Sequence, residues 1–217
     1  WSEAAVDPEM LGRAFESLMA TDARRSGGVF YTPQPLIARL TSQAIDRAIE
    51  GSPDGSQALD ALDRIRVLDP ACGSGAFLVF ALENLADRRA AAGDPRPLSV
   101  VRRELLTRSI FGVDRDPTAV WLCQLRLWLS VIVEDDACEG KRLEPLPNLD
   151  RNIREGDALS GEGFDAIDPH VRPVTAGKPP RSIESLRVRY TRSTGARKRS
   201  LAAVLEHEER QLAVRAA

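Results

Sequence analysis

The chain has 217 residues, 43% of them hydrophobic and 29% charged, which is the make-up of one globular domain with an appendage. No apolar run approaches the ~20 residues that cross a bilayer and no signal peptide is read at its start, so a cytoplasmic protein without a membrane partner is expected. Three cysteines without metal-ligand spacing (Cys72, Cys123, Cys138) and only two histidines argue against a disulfide framework, a His-rich zinc centre or a Ser-His-Asp triad. The net charge of −2 hides an asymmetry: residues 161–217 carry eleven basic residues and seven acids, and residues 1–160 carry nineteen and twenty-five. The start at Trp1 and the end within a helical pattern fit a piece of something longer.

In chain order, Asp7-Pro8 starts a helix with Leu11, Ala14, Phe15, Leu18 and Met19 on one face. Residues 24–33 read as a loop, and Thr32-Pro33 caps a second helix whose apolar face is Leu36, Ile37, Leu40, Ala44 and Ile45. A strand (65–69), a helix (75–88), another helix (99–108) and a second strand (109–114) follow. Asp116-Pro117 opens an apolar helix over 117–133, in which Trp121 and Trp128 read as core. A third short strand falls in 152–159. This alternation predicts an α/β, Rossmann-like, doubly wound and mostly parallel sheet, with N-terminal helices and a C-terminal helical basic insertion. The divisions read as 1–50, 51–160 and 161–217, the last opening on a Gly/Pro-rich stretch.

In such sheets ligands sit at the carboxyl ends of the strands, where this sequence places Asp69, Asp114 and Asp157. The turn after the first strand, "DPACGSGAFL", decides between ligands. A Walker loop needs Lys where Ala76 stands, and a dinucleotide loop needs a third glycine that is absent. Asp69, just ahead of the turn, would repel a pyrophosphate. A carboxylate there suits a ligand with a positive end. An ammonium and a sulfonium, with ribose hydroxyls needing an acceptor, describe S-adenosylmethionine. Asp114 is placed to hold the ribose diol and Asp157 the adenine amine. Cys72 reads as a small buried filler, since no basic residue lies nearby in sequence to lower its pKa.

"GVFYTP", "VLDPACGSGAFL", "IFGVDRDPTAV" and "NIREGDAL", in this order, resemble the DNA adenine-N6 methyltransferases of restriction–modification and phage-defence systems, in the γ order of motifs. The resemblance covers roughly residues 7–160. It implies a methyltransferase fold and methyl transfer from S-adenosylmethionine to an adenine flipped out of duplex DNA. It also implies roles: Tyr31 and Thr32 at the methionine end of the cofactor, Asp69 on its amino group, and Ala71, Gly73 and Gly75 giving backbone approach. Asp114 would hold the ribose, Asp157 the adenine amine, and Phe77 or an apolar neighbour of Asp114 would pack on the adenine ring.

One departure is large. The Asn/Asp-Pro-Pro-aromatic signature of the family, whose amide and carbonyl oxygens accept from the target amine, does not occur in residues 1–217. "GKPPR" (177–181) offers Lys178, which has only donors. No catalytic residue is therefore assigned, and the signature is expected downstream of residue 217. Residues 182–193 and 197–217 read as helices joined by Gly195. Arg187, Arg189, Arg192, Arg197, Lys198 and Arg199 are candidates for DNA-phosphate contact, or else a solvated face. Expected partners are duplex DNA and subunits of a restriction or defence system. The alternatives are a non-catalytic cofactor-binding module, a methyltransferase of RNA or protein glutamine, and an NAD(P)-dependent oxidoreductase, which Asp69 and the missing glycine oppose.

Overall fold

The computed structural model describes residues 10, 32–50, 56–132, 146–159 and 181–216. The chain divides into two units, Trp1–Leu143 with Asp150–Ala158, and Glu144–Leu149 with Leu159–Ala217. The described elements of the first are α1 (Gln34–Ile49), α2 (Ser56–Arg64), β1 (Val67–Asp69), α3 (Ala76–Ala91), α4 (Leu98–Arg108), β2 (Ile110–Asp114), α5 (Pro117–Ile132) and β3 (Ile153–Glu155). The second holds α6 (Arg181–Thr191) and α7 (Gly195–Ala216).

The three strands form a parallel sheet in the order β1-β2-β3, with Val67 beside Ile110, Asp69 beside Gly112, and Gly112 beside Ile153. Each step is a crossover through helix, as parallel neighbours require. Registered partners in a parallel sheet point to the same side, so Val67, Ile110, Gly112 and Ile153 share one face. Leu78 of α3 packs there, and a Cβ on Gly112 would stand 2.7 Å from its Cδ1. Leu68, on the other face, is 63% exposed. The reversal of strand order that defines a doubly wound sheet does not occur among the described strands.

Leu78, Leu82 and Leu85 of α3, Leu106 of α4, Ile110, Ile153 and Leu127 of α5 are buried almost completely and form the core. Asn152 ties its layers together. Its buried Nδ2 donates to the carbonyls of Ile110 (2.9 Å) and Thr107 (3.1 Å), and its carbonyl accepts from Gly112 at 2.8 Å. At the end of α3 away from the glycine turn, buried Arg89 pairs with Asp63 and with Asp94, the latter at 2.9 Å. Arg96 also grips Asp94, at 2.7 Å, and holds its carboxyl far below the usual carboxylate range. This network braces the turn from α3 into α4.

Four expectations need correction. Helix α2 was not foreseen, because the Gly/Ser/Pro-rich 51–56 reads as loop and the helix that follows is short. In α1 the buried line is Ile37, Thr41 and Ile45, spaced four apart, while Leu36 and Leu40 are exposed. The cap of α1 is Pro33, whose carbonyl accepts from Leu36 and Ile37. Trp121 is 58% exposed, because the buried side of α5 runs through 119, 120, 122, 123, 126, 127, 130 and 131, and position 121 falls opposite. Cys72 is buried, as a filler would be.

In the second unit α6 and α7 pair around Ile183, Tyr190, Leu201 and Leu205. Gly195 (φ +59°) starts α7 after the turn. Asn148 holds that turn, its Nδ2 donating to the carbonyls of Tyr190 (3.0 Å) and Ser193 (2.7 Å).

Candidate cofactor site

Strand β1 ends at Asp69, whose Oδ1 accepts from the Ala71 amide at 3.1 Å, a local turn typical of Asp before Pro. The Cys72 amide donates to the Val113 carbonyl (2.9 Å), which draws the chain over the top of β2. The Gly75 amide then returns to the Cys72 carbonyl at 2.8 Å. Gly73 and Gly75 have φ of +51° and +85°, where a side chain costs about 1–2 kcal/mol. The two glycines have different neighbours. A Cβ on Gly73 would meet none of the described residues within 4 Å, so the backbone there faces away from them, and one on Gly75 would stand 2.5 Å from Cys123 Sγ. Gly75 thus lets the start of α3 lie against α5.

Asp114, at the end of β2, spans the turn. Its Oδ2 accepts from the Gly73 amide at 2.7 Å and its Oδ1 from the Asp116 amide at 2.9 Å. Asp116 in turn caps α5, accepting from the Thr118 amide at 2.8 Å, which leaves Asp114 for the loop. The Gly156 amide donates to the Asp114 carbonyl (2.9 Å) and brings the end of β3 alongside. Asp157 follows and lies 3.7 Å from the exposed Arg115 guanidinium, a pair too solvated to count for much in stability.

Burial raises the pKa of Asp69; the Ala71 amide opposes the shift and the Asp114 charge adds to it. A cation beside Asp69 is the kind of ligand that relieves this penalty. Cys123 is fully buried, and its hydrogen bond with Cys72, followed by burial, pushes its thiol well up. Neither cysteine has the surroundings of a nucleophile.

The structure therefore brings together Asp69, Ala71, Gly73, Gly75 and Asp114, with Asp157 on the adjoining strand end. Phe77 is half-buried in the first turn of α3, and Thr32 is half-buried just before α1, which packs along α3. Tyr31 lies outside the described residues. Reading the sequence missed Arg126 and Ser74. The buried Arg126 guanidinium donates to the Ser74 carbonyl (2.8 Å) and hydroxyl (3.0 Å). The signal was available: Arg126 is the one charged residue of α5.

Of the basic candidates in the second unit, Arg187 pairs with Glu209 at 3.0 Å, and the Lys198 ammonium sits 5.6 Å from the Tyr190 ring centre. Arg189, Arg192, Arg197 and Arg199 are exposed.

A small parallel α/β sheet carries carboxylates at its strand tops around a glycine turn, at the end where sheets of this kind place their ligands. The chain belongs to the N-6 DNA methylase family, whose model matches residues 6–162. It is 29% identical over 199 residues to RM.MjaORFECS2P of Methanocaldococcus jannaschii, a protein assigned as a type II restriction enzyme and methyltransferase, covering 73% of this chain and 17% of that one. It is 27% identical over 151 residues to the type II restriction enzyme and methyltransferase RM.Eco57I of Escherichia coli, covering 62% and 14%. DNA methyltransferase A of Bacillus subtilis is 23% identical over 141 residues, covering 58% and 16%. The chain thus spans under a fifth of the length of these relatives.

Proposed function

We propose that this chain is the S-adenosylmethionine-binding part of a DNA methyltransferase that modifies adenine N6 in a restriction–modification or phage-defence system. The observation that carries the proposal is the paired placement of Asp69 and Asp114 around the open backbone of Gly73. A half-buried carboxylate with a raised pKa fits the cofactor's ammonium group. The second carboxylate, with lone pairs beyond those given to Gly73 and Asp116, fits the ribose diol. The place where a Gly73 side chain would stand is clear of the described residues and fits close approach of a ligand to the backbone. The set of acceptors thus suits this cofactor, and an unlike ligand such as a pyrophosphate would meet two negative charges.

The cofactor supplies an electrophilic methyl group. The chain's own residues do the holding: Asp69 takes the amino group, Asp114 the ribose and Asp157 the adenine amine. Phe77 packs on the ring, and Tyr31 and Thr32 close the methionine end. The complete fold continues the sheet as a Rossmann-like, doubly wound one, which would cover the face that Leu68 exposes, since parallel sheets are buried on both sides. The acceptor pair for the target amine comes from residues outside 1–217, and the exposed arginines of α6–α7 contact DNA phosphate. The family match and the restriction–modification relatives support DNA adenine over RNA or protein glutamine. Titration calorimetry of S-adenosylmethionine into this chain tests the reading; absence of binding would overturn it.

A further inference from the structure

We infer that Arg126 is a positioning residue for the cofactor turn: from inside α5 it fixes the direction in which the backbone at 73–75 faces the ligand. The inference rests on the cofactor-site reading above and extends it to a residue that touches no ligand. Arg126 is 2% exposed, on a helix that is otherwise uncharged, and burying a guanidinium is costly unless it is well paired. One of its nitrogens meets both the carbonyl and the hydroxyl of Ser74, itself 6% exposed. Ser74 stands between the two glycines with positive φ. Such a turn has little conformational preference of its own, so its shape must be imposed from outside. Asp114 imposes it from the side of β2, through the Gly73 amide. Arg126 imposes it from the side of α5. A guanidinium suits the task because it is rigid and stays charged at every working pH.

The experiment compares wild type, Arg126→Lys, Arg126→Gln and Ser74→Ala by amide hydrogen exchange, thermal melting and calorimetric titration with S-adenosylmethionine. Arg126→Lys keeps the charge and loses the rigid, planar head that holds the donor in place, so it is expected to fold, with faster exchange confined to residues 72–76. Its affinity should fall about tenfold, the scale of one charge-assisted hydrogen bond. Ser74→Ala should show a smaller effect in the same segment, and should add little in combination with Arg126→Lys. Arg126→Gln should exceed Arg126→Lys on both readouts. Exchange of 72–76 unchanged in Arg126→Lys, or accelerated equally throughout the sheet, would overturn the inference and leave Arg126 a brace of the core. The exchange readout needs no ligand. A wild type that fails to bind S-adenosylmethionine would sink the cofactor reading, and the exchange pattern would still decide the role of Arg126.

Discussion

Asp114 and Gly73 hold one another: the carboxylate at the tip of β2 accepts the amide of the glycine after β1 at 2.7 Å. The two residues are 41 positions apart, and the bond joins consecutive parallel strands at the edge where a ligand would lie. The acid is therefore part of the turn's architecture as well as a candidate ligand contact. Changing it should disturb the shape of the turn and the affinity together.

The two glycines of the turn should respond differently to a methyl group. Gly73→Ala should lower stability by about 1–2 kcal/mol, the left-handed penalty alone, because its Cβ meets none of the described residues. If the cofactor lies beside Gly73 as proposed, the variant should also weaken cofactor binding disproportionately. Gly75→Ala adds a collision with Cys123 and should lose about a further 1–3 kcal/mol. Urea denaturation gives the order; equal losses would contradict it.

Asp69→Asn should stabilise the folded chain at neutral pH while weakening cofactor binding. The folded pKa of Asp69 lies above its unfolded value. Its contribution is therefore fully present below the unfolded carboxylate range and lost as pH rises through the folded value. At neutral pH the ionised group is a net cost, which Asn removes while keeping an oxygen for the Ala71 amide. Melting curves between about pH 4 and pH 8 should show the advantage of the variant shrinking as pH falls; an advantage independent of pH would contradict the assignment.

The strand–turn–helix skeleton around the site was legible in the sequence because it is written in local chemistry. Apolar runs ended in acids, two glycines stood at a turn, and Asp116-Pro117 marked a helix start that the structure bears out. What was not legible depends on contacts distant in sequence. The clamp made by Asn152 joins α4, β2 and β3, and nothing near it in sequence announces carbonyl partners on both Thr107 and Ile110. The bond from Arg126 to Ser74 spans 52 positions. Exposure of Trp121 depended on the phase of α5 against the sheet, which an almost uniformly apolar helix does not reveal. Likewise Leu36 and Leu40 of α1 gave way to a line through Thr41 because packing on α3 chose the face.

The exposed arginines of α6–α7 give a prediction about salt. Arg192→Glu, Arg197→Glu and Arg199→Glu together should reduce the slope of log affinity for duplex DNA against log salt, each lost phosphate contact removing about 0.9. Arg187 and Lys198 are poorer choices, being engaged with Glu209 and Tyr190. A slope unchanged by the triple variant would make the patch a solvated face.

Residues 1–217 alone should not methylate DNA. They contain no Asn-Pro-Pro-aromatic string to hold the target amine, and positioning of this sort is worth up to about 7–11 kcal/mol of barrier. Labelled-methyl transfer to unmethylated duplex DNA should be undetectable with this chain and present with a longer polypeptide carrying that string. Adenine methylation by 1–217 would place the catalytic site within it.

Calorimetric titration of S-adenosylmethionine into wild type and Asp114→Ala shows directly whether Asp69 and Asp114 form the cofactor site. The wild type should bind saturably and the variant should lose about 1.5–3 kcal/mol, the worth of hydrogen bonds to a charged acceptor. Equal affinity in a folded Asp114→Ala chain would contradict that assignment.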